Sequence, residues 1–253
     1  MLPYPMATSR EEKMEIIGEI KERLLQKYGA NILAIGVYGS TGRKTDGPYS
    51  DIEMHVVTKN GFSLVEQEFI FEPFKIEIST HQADELIRQA QTVDDGWAIE
   101  AGVYVHIQRL YDPENLFEKI KYLPFQAPDS AFYDVMKQFM IWEPYETMGK
   151  LRNNYHIQNW NYIPMGARDL VWRTAKLIGL ANRKCYSTRA RTYEESLQMP
   201  SLPAGYKPLA QLVMAGKLDD KHEVYQLCED LWTGLNAWFQ EMGIDYKVKE
   251  LPI

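Results

Sequence analysis

Gly36-Val-Tyr-Gly-Ser-Thr-Gly-Arg-Lys-Thr-Asp-Gly-Pro-Tyr-Ser-Asp-Ile-Glu53 carries more information than any other part of this 253-residue chain. It grows out of a short apolar run, residues 32–38, whose β-formers predict a buried strand. Glycine, serine and threonine then recur as far as Ser50, which predicts a turn. From Asp51 to Val57 apolar and polar residues alternate, predicting a second strand. Side chains alternate across a strand, so Asp51 and Glu53 project from one face and Ile52 and Met54 from the other. Two carboxylates so placed make a poor core pair, because like charges repel and uncompensated burial is costly. A divalent cation removes the objection, and Mg²⁺ prefers carboxylate oxygens with phosphate oxygens completing its shell.

The neighbours fit the same chemistry. At Gly39-Ser40 a glycine permits close backbone approach, and the hydroxyl and adjacent N–H groups suit a phosphate oxygen. Arg43 adds a cationic fork. A third alternating run, Phe74 to Ser79, sets Lys75, Glu77 and Ser79 opposite Phe74, Ile76 and Ile78, and Glu77 becomes a third acid beside Asp51 and Glu53. Singly these features are a turn and a solvated strand face. Together they describe metal-assisted transfer of a phosphorus group.

Working outward, Ser9 to Glu12 has the form of a capping box, followed by Met14, Ile17, Leu24, Leu25 and Tyr28 at helical spacing. A helix is predicted over 83–93 and a strand over 103–111. Beyond residue 125 the pattern turns helical, with amphipathic stretches at 130–152, 163–181, 208–215 and 222–242, and Pro144 predicts a kink or break in the first. The expected fold class is α+β: a catalytic domain over 1–125, with a mixed sheet and flanking helices, and a helical bundle over 126–253.

Composition narrows the function. The net charge is −7, and almost all of it lies in residues 51–100, which carry −8 against +1 before and zero after. A field of that sign repels a nucleic-acid phosphate backbone and attracts cations. No apolar run approaches a membrane span. No secretory signal is visible and two cysteines make no disulfide framework, so a cytoplasmic protein is expected.

The order of Gly-Ser, ten intervening residues, Asp-Ile-Glu and a later strand acid resembles the nucleotidyltransferase superfamily with a DNA polymerase β-like palm. Residues 34–54, Lys75-Ile-Glu77, Glu146-Thr-Met-Gly-Lys-Leu-Arg-Asn153 and Cys185-Tyr-Ser-Thr188 are similar to the kanamycin nucleotidyltransferase family, the aminoglycoside 4′-O-nucleotidyltransferases. The resemblance implies transfer of AMP from ATP, or of another nucleotide, to an aminoglycoside. It implies that Ser40 and Arg43 hold nucleotide phosphates, and that Asp51, Glu53 and Glu77 bind Mg²⁺. Glu146 matches the general base, Lys150 a phosphate contact, Thr188 a position near the nucleotide and Glu68 an acid touching the drug. Lys75, Glu77 and Glu143 are further candidates for the acceptor site. A homodimer with active sites shared between chains is also implied.

Other residues have plainer expectations. Spacing alone makes Glu146 and Lys150 an i,i+4 surface pair. His55 shares the Asp51/Glu53 face, with a structural role expected. Arg183, Lys184, Arg189 and Arg191 are candidates for the triphosphate or a solvated loop. Trp97, Trp142 and Trp160 are candidates for stacking on base or sugar, with core packing the default. Two competing functions remain: a nucleotidyltransferase acting on protein or tRNA, and a non-catalytic nucleotide-binding homologue.

Overall fold

A computed structural model of the chain describes residue 2 and residues 4–251. The capping box forms as expected: Ser9 accepts from the Glu12 N–H, and the Glu12 carboxylate accepts from the Ser9 N–H at 2.7 Å. It opens α1 (Arg10–Tyr28), and Met14, Ile17, Leu24, Leu25 and Tyr28 all turn toward one core. Then come β1 (Ile32–Val37), the helical turn α2 (Gly39–Gly42), β2 (Ile52–Thr58), β3 (Gln67–Phe71) and β4 (Phe74–Gln82). Helices α3 (Ala83–Gln91), α4 (Trp97–Glu100) and α5 (Gly102–Val105) precede β5 (Gln108–Tyr111) and α6 (Leu116–Ile120).

Among the described residues the strands form one sheet in the order β3-β4-β2-β1-β5, with β2 and β4 parallel and the other neighbours antiparallel. Alternation sends Ile35, Val37, Ile52, Met54, Val56, Ile76 and Ile78 to the face covered by α1. Each side chain fully buried there contributes about 1.5–3 kcal/mol. The opposite face packs Ala34 and Val57 against Leu86 and Ala90 of α3 and Phe117 and Ile120 of α6. On that same face Glu53 and Glu77 stay half-buried and Lys75 exposed.

Two expectations need correction. Only Gln108–Tyr111 of the predicted strand over 103–111 is extended, because residues 102–105 coil into α5. Packing of Tyr104 and Ile107 into the second core overrides the β-propensity of Val103 and Val105. Conversely, β3 lies where no strand was predicted. Gln-Glu-Phe-Ile-Phe shows no alternation, since this edge strand is exposed throughout.

The chain forms two compact units, Met1–Thr92 with Ala101–Ala127 and Val93–Glu100 with Pro128–Ile253. In the second, α7 (Asp129–Met140) runs through a π-turn at Ile141–Tyr145 into α8 (Glu146–His156). Pro144 has no N–H to give the carbonyl four residues back, and the wider turn accommodates it without a break. The spine is α9 (Tyr162–Asn182), against which α4, α7, α8, α10 (Thr192–Ser196), α11 (Tyr206–Met214) and α12 (Lys221–Glu241) pack. Among the described residues no helix is long and apolar enough to cross a membrane.

Candidate active site

Strand register builds the first unit's site. Parallel pairing of β2 with β4 sets Glu53 beside Glu77, and antiparallel pairing of β4 with β3 sets Glu77 beside Glu68. Three carboxylates thus share one rung across adjacent strands, with Asp51 two residues before Glu53. Like charges opposite one another destabilise a sheet, so the rung needs compensation. Lys75 Nζ provides some, lying 2.9 Å from Glu68 Oε1 and 3.5 Å from Asp51 Oδ2. Its pKa is raised, first by the hydrogen bond to Glu68. Tyr38 provides more: its hydroxyl donates to Glu77 Oε1 at 2.9 Å and lies 3.1 Å from Ser79 Oγ. Glu53 is the least compensated. Burial, then the charges of Asp51 and Glu77, push its carboxyl up to about 7 against the opposing pull of Arg43 and Lys75.

The loop leaving β1 closes over this rung. Tyr38 donates its N–H to the Glu53 carbonyl at 2.9 Å, and the chain turns at Gly39 with φ +63°. A side chain there would be strained, and its Cβ would run into the Glu53 carboxylate. Thr41 Oγ1 donates to the Asp51 carbonyl at 3.2 Å, and Ser40 accepts through its carbonyl from the Thr45 N–H. Arg43 is near enough to act on Glu53, and its Nε is buried without a hydrogen-bond partner.

Residues 43–50 are anchored from behind. Lys13, 1% exposed, donates to Asp46 Oδ2 at 3.1 Å and to the Gly47 carbonyl at 2.6 Å, while Arg10 pairs with the same Asp46. Burial would raise the Asp46 pKa, but Lys13 and Arg10 outweigh it and hold the carboxyl below its ordinary range. His55 is buried and stacked on Tyr38 with ring centres 4.1 Å apart, and burial lowers its pKa to about 3. It supports the Tyr38 ring as a neutral side chain.

In the second unit, Glu146 and Lys150 pair on α8 at 2.6 Å with both side chains about half exposed. The hydrogen bond from Lys150 lowers the Glu146 pKa, so the carboxylate is ionised at neutral pH. Glu143 pairs with Arg173 of α9 at 2.6 Å. Trp142, Tyr145, Glu146 and Lys150 line one surface concavity. Thr188 uses its hydroxyl to cap a short 3₁₀ turn, accepting from the Arg191 N–H at 3.2 Å. Of the basic run, Arg183 pairs with Asp129 and covers Phe132, Arg189 covers Trp172 and Arg191 pairs with Glu194. Trp97 is core, as expected by default, whereas Trp142 is 70% exposed.

The structure therefore gathers Ser40, Arg43, Asp51, Glu53, Glu68, Lys75 and Glu77 on the first unit, and Glu143, Glu146 and Lys150 along one helical stretch of the second. Tyr38 and the Lys13–Asp46 pair were not singled out from the sequence. Tyr38 directly follows β1 and continues the alternation from Gly36, so alternation alone carries its signal. Among the described residues no group of three or more His, Cys, Asp or Glu forms a ready-made metal cage.

Comparison with known proteins agrees with this architecture. Residues 114–245 match the KNTase C-terminal domain family. A nucleotidyltransferase-like protein of known structure from Exiguobacterium sibiricum superposes with a TM-score of 0.55 at 11% identity, covering 89% of this chain and 75% of that one, a likeness of fold. Relatives named aminoglycoside nucleotidyltransferase (4′), from Staphylococcus aureus and from a Bacillus species, are each 35% identical over 249 residues, 98% of both chains. The chain belongs to the aminoglycoside nucleotidyltransferase (4′) family.

Proposed function

We propose that this protein transfers AMP from ATP to the 4′-hydroxyl of an aminoglycoside antibiotic, releasing pyrophosphate and conferring resistance. The observation that carries this is the acidic rung of Glu53, Glu77 and Glu68, with Asp51 beside it, beneath a glycine-serine turn and Arg43, in a chain of that family. Ser40 and Arg43 bind the triphosphate, the guanidinium of Arg43 offering a cationic fork. Asp51 and Glu53, with Glu77 held alongside by Tyr38, fit as holders of Mg²⁺, which when bound neutralises the triphosphate and polarises its α-phosphorus. Glu68 faces the polycationic acceptor, with Lys75 and Glu77 next to it. On the second unit Glu146 accepts the proton of the hydroxyl as its oxygen bonds to the α-phosphorus and the bond to pyrophosphate breaks. Lys150 orients Glu146 and meets phosphate, Glu143 meets the drug, and Thr188 lies near the nucleotide.

Kanamycin and tobramycin are the proposed acceptors, in a cytoplasmic homodimer whose chains both contribute to each site. The −8 charge over residues 51–100 favours such drugs over a tRNA acceptor. Intact acids at positions 51, 53 and 77 favour an enzyme over a non-catalytic homologue. The test is pyrophosphate release from ATP with Mg²⁺, with and without kanamycin or tobramycin. Release that depends on the drug and vanishes in Asp51→Asn supports the proposal; release indifferent to the drug refutes it.

A further inference from the structure

One aromatic side chain has no part in the chemistry above. Trp142 sits in the π-turn Ile141–Tyr145, where Pro144 widens the helix. It is 70% exposed, unusual for a side chain with so much apolar area to bury. Its neighbour Tyr145 packs edge-on against Trp232 and Tyr246 and is used within the bundle. Trp142 instead stands on a ridge common to two concavities of the second unit. On one side, a hollow of about 480 Å³ is also lined by Tyr145, Glu146, Lys150 and Asn153. On the other, a hollow of about 560 Å³ is also lined by Asp94, Asp134, Phe139 and Glu143. The indole is thus next to the carboxylate assigned to the acceptor hydroxyl and has further acids on its far side.

We infer that Trp142 is a specificity-determining residue of the acceptor site, an exposed platform on which a cationic aminosugar ring of the drug stacks. The inference rests on the placement of the acceptor at Glu146. A sugar ring presents an apolar C–H face that an indole covers, and the face of the indole attracts an ammonium group. Carboxylates on both flanks, with Asp94 and Asp134 on the far side, favour an occupant that is cationic. The contact is made on drug binding and leaves the reacting atoms alone, so it acts on KM.

The test compares Trp142→Ala, Trp142→Phe and the wild type with kanamycin. In Trp142→Ala the KM for kanamycin is expected to rise about 10-fold or more, with kcat within about 3-fold and the KM for ATP unchanged. Trp142→Phe retains most of the affinity. The exposed position predicts an unchanged melting temperature for both variants. A kanamycin titration without nucleotide supplies a second readout: the tryptophan emission change in wild type should be reduced in Trp142→Phe. An unchanged KM for kanamycin in Trp142→Ala, with an identical emission change in Trp142→Phe, overturns the inference while leaving the proposed activity standing. If the wild type transfers nothing to kanamycin, the proposed activity fails, and the titration alone decides whether kanamycin meets Trp142.

Discussion

Glu53→Gln should make the free protein more stable while ending its activity. Burial and the charges of Asp51 and Glu77 raise the Glu53 carboxyl from 4.5 to about 7 in the folded chain. A folded value above the unfolded one means that the native state holds the proton more tightly, so stability is greatest while Glu53 is protonated. It falls as pH rises from the unfolded value toward the folded one, and the full penalty is in place above about pH 7. Each tenfold gain in proton affinity on folding corresponds to about 1.4 kcal/mol, giving an upper bound of about 3 kcal/mol, which partial solvent access reduces to about 2. Glutamine keeps the shape and removes the charge. Its advantage should be under about 1 kcal/mol at pH 5 and about 2 kcal/mol at pH 8, or a rise of roughly 4–8 °C in melting temperature. Thermal unfolding at both pH values, alongside a turnover assay, measures it. A Glu53→Gln protein that is no more stable than wild type at pH 8, or equally stabilised at pH 5 and 8, would refute the electrostatic account of the rung.

Three further outcomes follow from the same geometry. Glu146→Gln removes the proposed proton acceptor from an exposed position, so kcat should drop on the order of 10²-fold with little change in kanamycin affinity or melting temperature, as steady-state kinetics and calorimetry would show. Lys13→Met strips a buried partner from Asp46 and should cost about 3 kcal/mol by urea unfolding at pH 7. Because the Asp46 pKa is lowered in the folded chain, that loss should shrink as pH falls below the ordinary value of 3.8. Gly39→Ala forces φ +63° on a residue with a Cβ aimed at Glu53, so a stability loss of about 1–2 kcal/mol should accompany loss of nearly all turnover.

Much of this site was legible because strand chemistry is periodic. Alternation put Asp51 and Glu53 on one face and Lys75 and Glu77 on another strand's matching face, and the turn at Gly39 declared itself by composition. Periodicity does not reveal which strands are neighbours or in what register, so the single rung of Glu53, Glu77 and Glu68 emerges only from the pairing of β2, β4 and β3. The anchor of the loop by Lys13 is invisible for the same reason: on α1 it reads as one more polar helix residue, and only tertiary packing buries it. β3 escaped because an edge strand exposed throughout need not alternate. Trp142 was a candidate for stacking whose default was core packing, because size and apolarity predict burial; the π-turn at Pro144 leaves it in solvent instead.

The proposed chemistry is tested most directly by mass spectrometry of the product formed from tobramycin, ATP and Mg²⁺. The account predicts one added AMP per drug molecule, located on the 4′-hydroxyl by fragmentation, and no product from a 4′-deoxy analogue. Modification at another position, or equal adenylylation of the 4′-deoxy analogue, would contradict it.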